Sequence, residues 1–145
     1  MIHIVSNHKK YWESISRLRS DPRIQHCFLE PLLFPIEPNT QKTHMEKYGD
    51  NYIVALDNDE VVGYARSFDR DIAVCVDPEH QRKGIGEKLI KEIVRRYPDS
   101  YARVKTTNIP SMTLFKKCNF VVTKTVTYDK TGENLWIMNY ETQSL

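Results

Sequence analysis

The chain has 145 residues, a formal net charge of +2, 40% hydrophobic and 28% charged residues. That length suits one self-sufficient core, and the composition lies far from disordered or fibrous sequences. So small a charge gives no ground for a nucleic-acid partner, and the pairs Arg82-Lys83, Arg95-Arg96 and Lys116-Lys117 read as solvated faces. Cys27, Cys75 and Cys118 are odd in number and lack the Cys/His spacing of a metal site, which predicts free thiols, a cytoplasmic location and no metal. Met1 to Lys10 lacks the apolar stretch of a signal peptide, and no window approaches a membrane span, so a soluble, unprocessed chain without membrane contact is expected.

In chain order, Ile2 to Val5 suits an opening strand, and Ser6 or Asn7 can cap the helix that follows, in which Tyr11, Ile15 and Leu18 share a face. Asp21-Pro22 ends that helix. Pro31, Pro35 and Pro38 interrupt an apolar stretch from Arg23 to Thr40, which reads as an irregular, partly buried loop with a short helical piece. A second helix runs from Pro38 or Thr40 to Tyr48, with Gly49 just past its end. Asn51 to Leu56 and Val61 to Ser67 are β-rich and joined by a polar link, Asp57 to Glu60, as in a hairpin.

Asp71 to Val76 is a nearly all-apolar strand, as expected when both faces are covered. A helix from about Ile85 to Tyr97 carries a broad apolar stripe, Ile85, Leu89, Ile90, Ile93, Val94 and Tyr97, and Tyr101 to Thr106 reads as the next strand. This strand, helix, strand unit has the length of a parallel crossover. Asn108 and Pro110 open a short helix to Cys118, Asn119 closes it as a left-handed residue, and Val121 to Thr127 with Leu135 to Tyr140 form a last hairpin. No repeat or linker divides the chain, so residues 1–145 are expected to be one domain.

The stretch that carries chemistry is Gln81-Arg82-Lys83-Gly84-Ile85-Gly86, between the apolar strand and the amphipathic helix. Its glycines let backbone N–H groups approach a ligand at a helix N-terminus, where the positive end of the macrodipole favours a diphosphate. A P-loop is excluded because Gly-x-x-x-x-Gly-Lys-Ser/Thr is missing, and a dinucleotide fingerprint because its third glycine is replaced around Ile90. Packing alone is the other reading of these glycines.

Gln-x-x-Gly-x-Gly after a strand ending in Asp77-Pro78, then a helix, a strand, Asn108-x-x-Ser111 and Phe115-Lys116-Lys117-Cys118-Asn119-Phe120, resembles the GNAT superfamily of acyl-CoA-dependent N-acetyltransferases. The likeness is specific from about Val62 to Phe120 and architectural elsewhere. It implies an α/β fold in which a mixed, mostly antiparallel sheet of six or seven strands carries a splayed central parallel pair flanked by helices. It also implies acetyl-CoA as acyl donor, with Gln81, Arg82, Lys83, Gly84, Ile85 and Gly86 as the pyrophosphate loop. Val74 and Val76 would pair with the pantetheine arm, Asn108 would contact the cofactor, and Lys117 would reach a phosphate or lie solvated.

Two departures stand out against the resemblance. The tyrosine that protonates the thiolate in many relatives is Phe115 here, and the glutamate base of N-terminal acetylating relatives is Arg103. Asp71 remains as a candidate base, with an exposed strand-edge carboxylate as the alternative. Arg103 is a candidate for binding an acidic acceptor or a merely paired arginine, and His44, Phe28 and Phe34 are candidates to line the acceptor pocket. The expected acceptor is a primary amine of a small molecule, an amino sugar on a nucleotide being one option, or of a protein. A catalytically weak CoA-binding sensor or scaffold is the second reading, and a homodimer through the last hairpin is open.

Overall fold

The computed structural model describes residues 1–142. β1 (Ile2–Ser6), β2 (Tyr52–Asp57), β3 (Glu60–Phe68), β4 (Asp71–Val76), β5 (Tyr101–Lys105), β6 (Phe120–Thr127) and β7 (Asn134–Tyr140) build one sheet. Its seven strands run in the order β1-β2-β3-β4-β5-β7-β6. Every neighbouring pair is antiparallel except β4 and β5. Tight two-residue turns fix the register of the first three hairpin-linked strands: Asn58 and Asp59 (φ 50° and 72°), then Asp69 and Arg70 (φ 52° and 75°), all take the left-handed backbone that such turns require.

Among the described residues, four α-helices cover the sheet. α1 (Trp12–Arg19) and α2 (Pro38–Tyr48) lie on one face, where Ile15, Leu18 and Met45 pack on Tyr52, Val54 and Tyr64. α3 (Ile85–Arg96) and α4 (Ile109–Lys117) lie on the other. There the stripe read from the sequence is sealed: Leu89, Ile90 and Ile93 are 0% exposed and meet Ile53, Val62, Phe120 and Met138. Burial of this stripe, more than helix propensity, holds α3 in place.

Several local expectations need correction. Neither Ser6 nor Asn7 caps a helix; the His8 ring accepts from Lys10 N at 3.1 Å and opens a 3₁₀ turn, Lys9–Tyr11, that leads into α1. Asn7 is used elsewhere, donating to the Gly49 carbonyl at 3.1 Å. Gly49 itself is right-handed (φ −55°) and continues into a 3₁₀ turn. In the proline-rich stretch the helical piece is a 3₁₀ segment, Pro22–Cys27, and Leu33 and Phe34 are exposed, whereas Phe28, Leu29 and Leu32 are half-buried. β4 is not covered on both faces. Only Ile72 and Cys75 are buried, because the strand borders a cleft.

Candidate functional site

β4 and β5 pair at a single position, Asp71 with Tyr101, and then diverge. Backbone alternation shows what this exposes. Tyr101 N donates to Arg70 O on the β5 side, and Asp77 N donates to Val62 O on the β3 side, each at 2.9 Å. Since N–H and C=O groups switch sides at every residue along a strand, those of Ile72, Val74 and Val76 face the gap. The Val76 carbonyl is taken by the Gln81 side-chain amide at 3.0 Å. β5 has no ladder partner opposite Val74, so that residue offers a backbone donor and acceptor to a ligand.

The divergence opens a cleft of about 440 Å³ that passes through the sheet. On the α3 and α4 side it is lined by Val74, Val76, Gln81, Asn108, Leu114 and Phe115. On the α1 side it is lined by Arg19, Phe28, Glu30, Tyr64, Arg66 and Tyr128, and Asp71 and Arg103 stand where the strands meet. Of the residues singled out in the sequence, Phe28, Asp71, Val74, Val76, Gln81, Arg103 and Asn108 therefore share one concavity.

Of the loop residues, Gln81 stands in the cleft wall, and Arg82 to Gly86 follow beside it rather than in the wall. Gly84 takes φ 75° as the N-cap of α3, and nothing lies within 4 Å of where its Cβ would be, so the backbone conformation rather than crowding calls for glycine. Gly86 is different: a Cβ there would lie 2.8 Å from Leu114 Cδ2, so its glycine lets α3 approach α4. Arg82 is also left-handed (φ 67°), and Arg82, Lys83 and Gly84 are exposed, while Ile85 is buried. The N–H groups of the first turn of α3 have no helical partner and point outward beside two cations.

Asn108 caps α4, its side-chain oxygen accepting from Ser111 N at 3.3 Å, which leaves its amide donors for a ligand. Lys117 is exposed and paired with Glu87 at 3.2 Å, a carboxylate that also pairs with Lys91 at 2.9 Å. Those pairs hold the Glu87 carboxyl below its ordinary range, the hydrogen bond from Lys91 contributing most. Phe115 is buried against Phe120, ring centroids 5.0 Å apart, and brings no hydroxyl to the cleft.

Asp71 and Arg103 bind each other across the strand junction. Arg103 Nη2 and Nε donate at 2.7 and 3.2 Å, both to Asp71 Oδ2, and Oδ1 has no protein partner among the described residues. His44 and Phe34 are not part of the cleft wall. His44 bonds the Tyr52 hydroxyl at 2.8 Å within an aromatic cluster, and Phe34 is exposed. Arg19, Glu30, Tyr64, Arg66 and Tyr128 were not found in the sequence. They come from four separate segments; Arg19 falls at the end of the first helix and Tyr64 and Arg66 inside the strand 61–67, but no local pattern marks them as site residues.

The model of the acetyltransferase (GNAT) family matches residues 12–120. No curated protein matches the chain. Among solved structures, an N-acetyltransferase of Staphylococcus aureus Mu50 superposes with a TM-score of 0.83 at 19% identity, covering 97% of this chain and 98% of that one. The Salmonella typhimurium protein yncA, solved with its cofactor acetyl-CoA, gives 0.76 at 20% identity over 100% and 96%. The ribosomal-protein-alanine N-acetyltransferase of Brucella melitensis gives 0.79 at 17% over 94% and 98%. The chain belongs to the GNAT acetyltransferase family. It is accordingly an acyltransferase whose acyl donor is acetyl-CoA.

Proposed function

We propose that this chain moves an acetyl group from acetyl-CoA directly to the primary amine of a small molecule, with a protein amine as the other acceptor class. The observation that carries the reading is the through-sheet gap between β4 and β5, with unpaired backbone at Val74 and a helix N-terminus at its end. These features fit the donor. The first turn of α3, with Gly84 and the neighbouring Arg82 and Lys83, would hold the diphosphate. Val74 and Val76 would meet the pantetheine amides, and Asn108 would add donors. Gln81 would act indirectly by fixing the Val76 carbonyl. Lys117 would be a weaker contributor, since Glu87 competes for it. Bound there, acetyl-CoA supplies an activated thioester carbonyl.

The chain's own residues then position an amine against that carbonyl from the α1 side of the gap. Holding two reactants in line supplies a large part of the rate in such reactions. Asp71 Oδ1 is free to take the ammonium proton, while Arg103 fixes the carboxylate through Oδ2. The buried Phe115 offers the departing thiolate no proton, so protonation falls to water. A thiol is a good enough leaving group for that to suffice.

Three free cysteines support a reducing, cytoplasmic location. The net charge of +2 supports a partner other than nucleic acid. The exposed edge strand β6 is where a homodimer would form. The test is acceptor-dependent thiol release from acetyl-CoA across amino sugars, polyamines, amino acids and N-terminal peptides. Release with one acceptor class supports transfer and names the class. Tight acetyl-CoA binding with no release for any amine would instead favour a CoA sensor.

A further inference from the structure

Three guanidinium groups line the cleft, and their partners differ. Arg103 has the Asp71 carboxylate. Arg19 and Arg66 have no carboxylate within ion-pair distance among the described residues; the other cleft carboxylate, Glu30, is held by Lys130 and by the Tyr128 hydroxyl. Arg19 is fixed by neutral groups instead. Its guanidinium lies 3.7 Å from the Phe28 ring centroid and donates to Gln25 Oε1 at 3.0 Å and to the Glu30 carbonyl at 2.6 Å. Arg66 lies 4.5 Å from the Phe68 centroid and donates once, to the Asp71 carbonyl at 3.3 Å.

Both side chains are half-buried, both are held in place, and each keeps N–H donors unused. The two charges also feel each other: desolvation chiefly, and the charge of Arg66 in addition, lower the Arg19 pKa. Keeping two like charges in one concavity without a counter-ion is costly, and an anionic ligand removes that cost. In the β3–β4 register Arg66 sits opposite Ala73, next to Val74, so such a ligand would be held beside the strand that borders the gap.

We infer that the acceptor carries an anionic group, carboxylate or phosphate, beside its amine, and that Arg19 and Arg66 bind that group on the α1 side of the cleft. The inference rests on the transferase reading for the word acceptor, but the anion site can be tested without turnover. Planar guanidinium forks suit both oxyanions, and a neutral amine would leave both arginines unpaired.

The protein is first saturated with coenzyme A, so that the diphosphate site at α3 is filled. Inorganic phosphate and, separately, acetate are then titrated while the guanidinium Nε resonances of Arg19 and Arg66 are followed by NMR. Saturable shifts are expected for one anion or both, and which of them binds tells phosphate from carboxylate. Affinity should fall about tenfold or more in Arg66→Gln and in Arg19→Gln, the scale of one lost charge-assisted hydrogen bond, and fall less in Arg66→Lys, which keeps the charge but not the fork. Coenzyme A affinity, unchanged in all three, reports that they fold.

Matched acceptors extend the test: an amino acid against its amide, and an amino-sugar phosphate against the free amino sugar. The anionic member should have the higher kcat/KM by about tenfold, with the advantage lost through KM in Arg66→Gln. No saturable binding of either anion, or binding indifferent to both arginines, would overturn the inference, as would equal turnover of each matched pair. Anion binding that depends on Arg66 while no amine is acetylated would support the site and count against the transferase reading alone.

Discussion

The two faces of the sheet are built on different principles. The α3 and α4 face is an apolar core, with Ile85, Leu89, Ile90, Ile93, Phe120 and Met138 all at 1% exposure or less. The α1 and α2 face is smaller and mixed: Tyr52 stacks on Tyr64, His44 bonds Tyr52, and Arg19 and Arg66 lie over phenylalanine rings. The first face fixes the geometry of the gap and of the diphosphate loop. The second tolerates polar and charged groups because a substrate is expected to complete it. Stability thus concentrates on one face and selectivity on the other.

The sharpest way to break this division is at the loop. Gly84→Glu places a carboxylate at the N-terminus of α3 and a side chain at φ 75°. Acetyl-CoA affinity should fall by about 100-fold or more, from lost charge-assisted bonds and added repulsion, measured by calorimetry. Gly132 has the same φ of 75°, open surroundings and no place in the cleft wall. Gly132→Glu should therefore incur a similar strain of about 1–2 kcal/mol and leave acetyl-CoA affinity unchanged.

Next in size, Leu89→Ala removes a side chain that is 0% exposed beneath β3. A loss of about 2–5 kcal/mol in urea unfolding is expected, since the packed neighbours can fill the void only in part. If the variant loses under about 1 kcal/mol, the α3 face is not the stabilising one.

Thiol chemistry separates the faces in another way. Cys75 on the α1 side and Cys118 behind α4 are buried, and burial pushes their thiols up to about 12 and about 11. Cys27 is exposed at the cleft wall, although burial of its sulfur also raises its pKa. A thiol reagent at mildly alkaline pH should modify Cys27 alone and slowly in the native chain, and all three cysteines after unfolding. Counting adducts by mass spectrometry checks this.

The smallest effect belongs to His44. Burial first, and Arg66 second, hold its pKa below the ordinary value, so the folded state favours the neutral ring. As pH falls through about 6.5, the unfolded chain takes up the proton first. The contribution is therefore full above that pH and lost as pH drops toward the depressed folded value. His44→Phe keeps the ring contacts to Tyr48, Tyr52 and Phe68 but cannot titrate, so its stability should fall less between pH 7 and 5 than that of the parent chain. Parallel slopes would remove His44 from the pH response.

The same division explains what could be read from the amino acids. The α3 stripe, the crossover and the position of the Gln81 to Gly86 loop between strand and helix are local patterns, and the structure places them as read. The splay of β4 from β5 came from family resemblance and not from any local signal, and the single pairing of Asp71 with Tyr101 is seen only in the fold. The Asp71–Arg103 pair joins residues 32 apart, and the Glu30–Tyr128 bond residues 98 apart. No periodicity links such positions, so the α1 side of the cleft, Phe28 apart, emerged only from the fold. The His8 cap was missed because a histidine ring accepted the bond that serine or asparagine usually takes.

The most direct measurement follows a labelled acetyl group from acetyl-CoA in a single turnover with the acceptor that releases thiol fastest. The account predicts that the label passes to the amine nitrogen without residing on the protein, and that Gly84→Glu prevents the transfer. Label found on Cys27 or Cys75, or released only as acetate, would contradict direct transfer through the gap between β4 and β5.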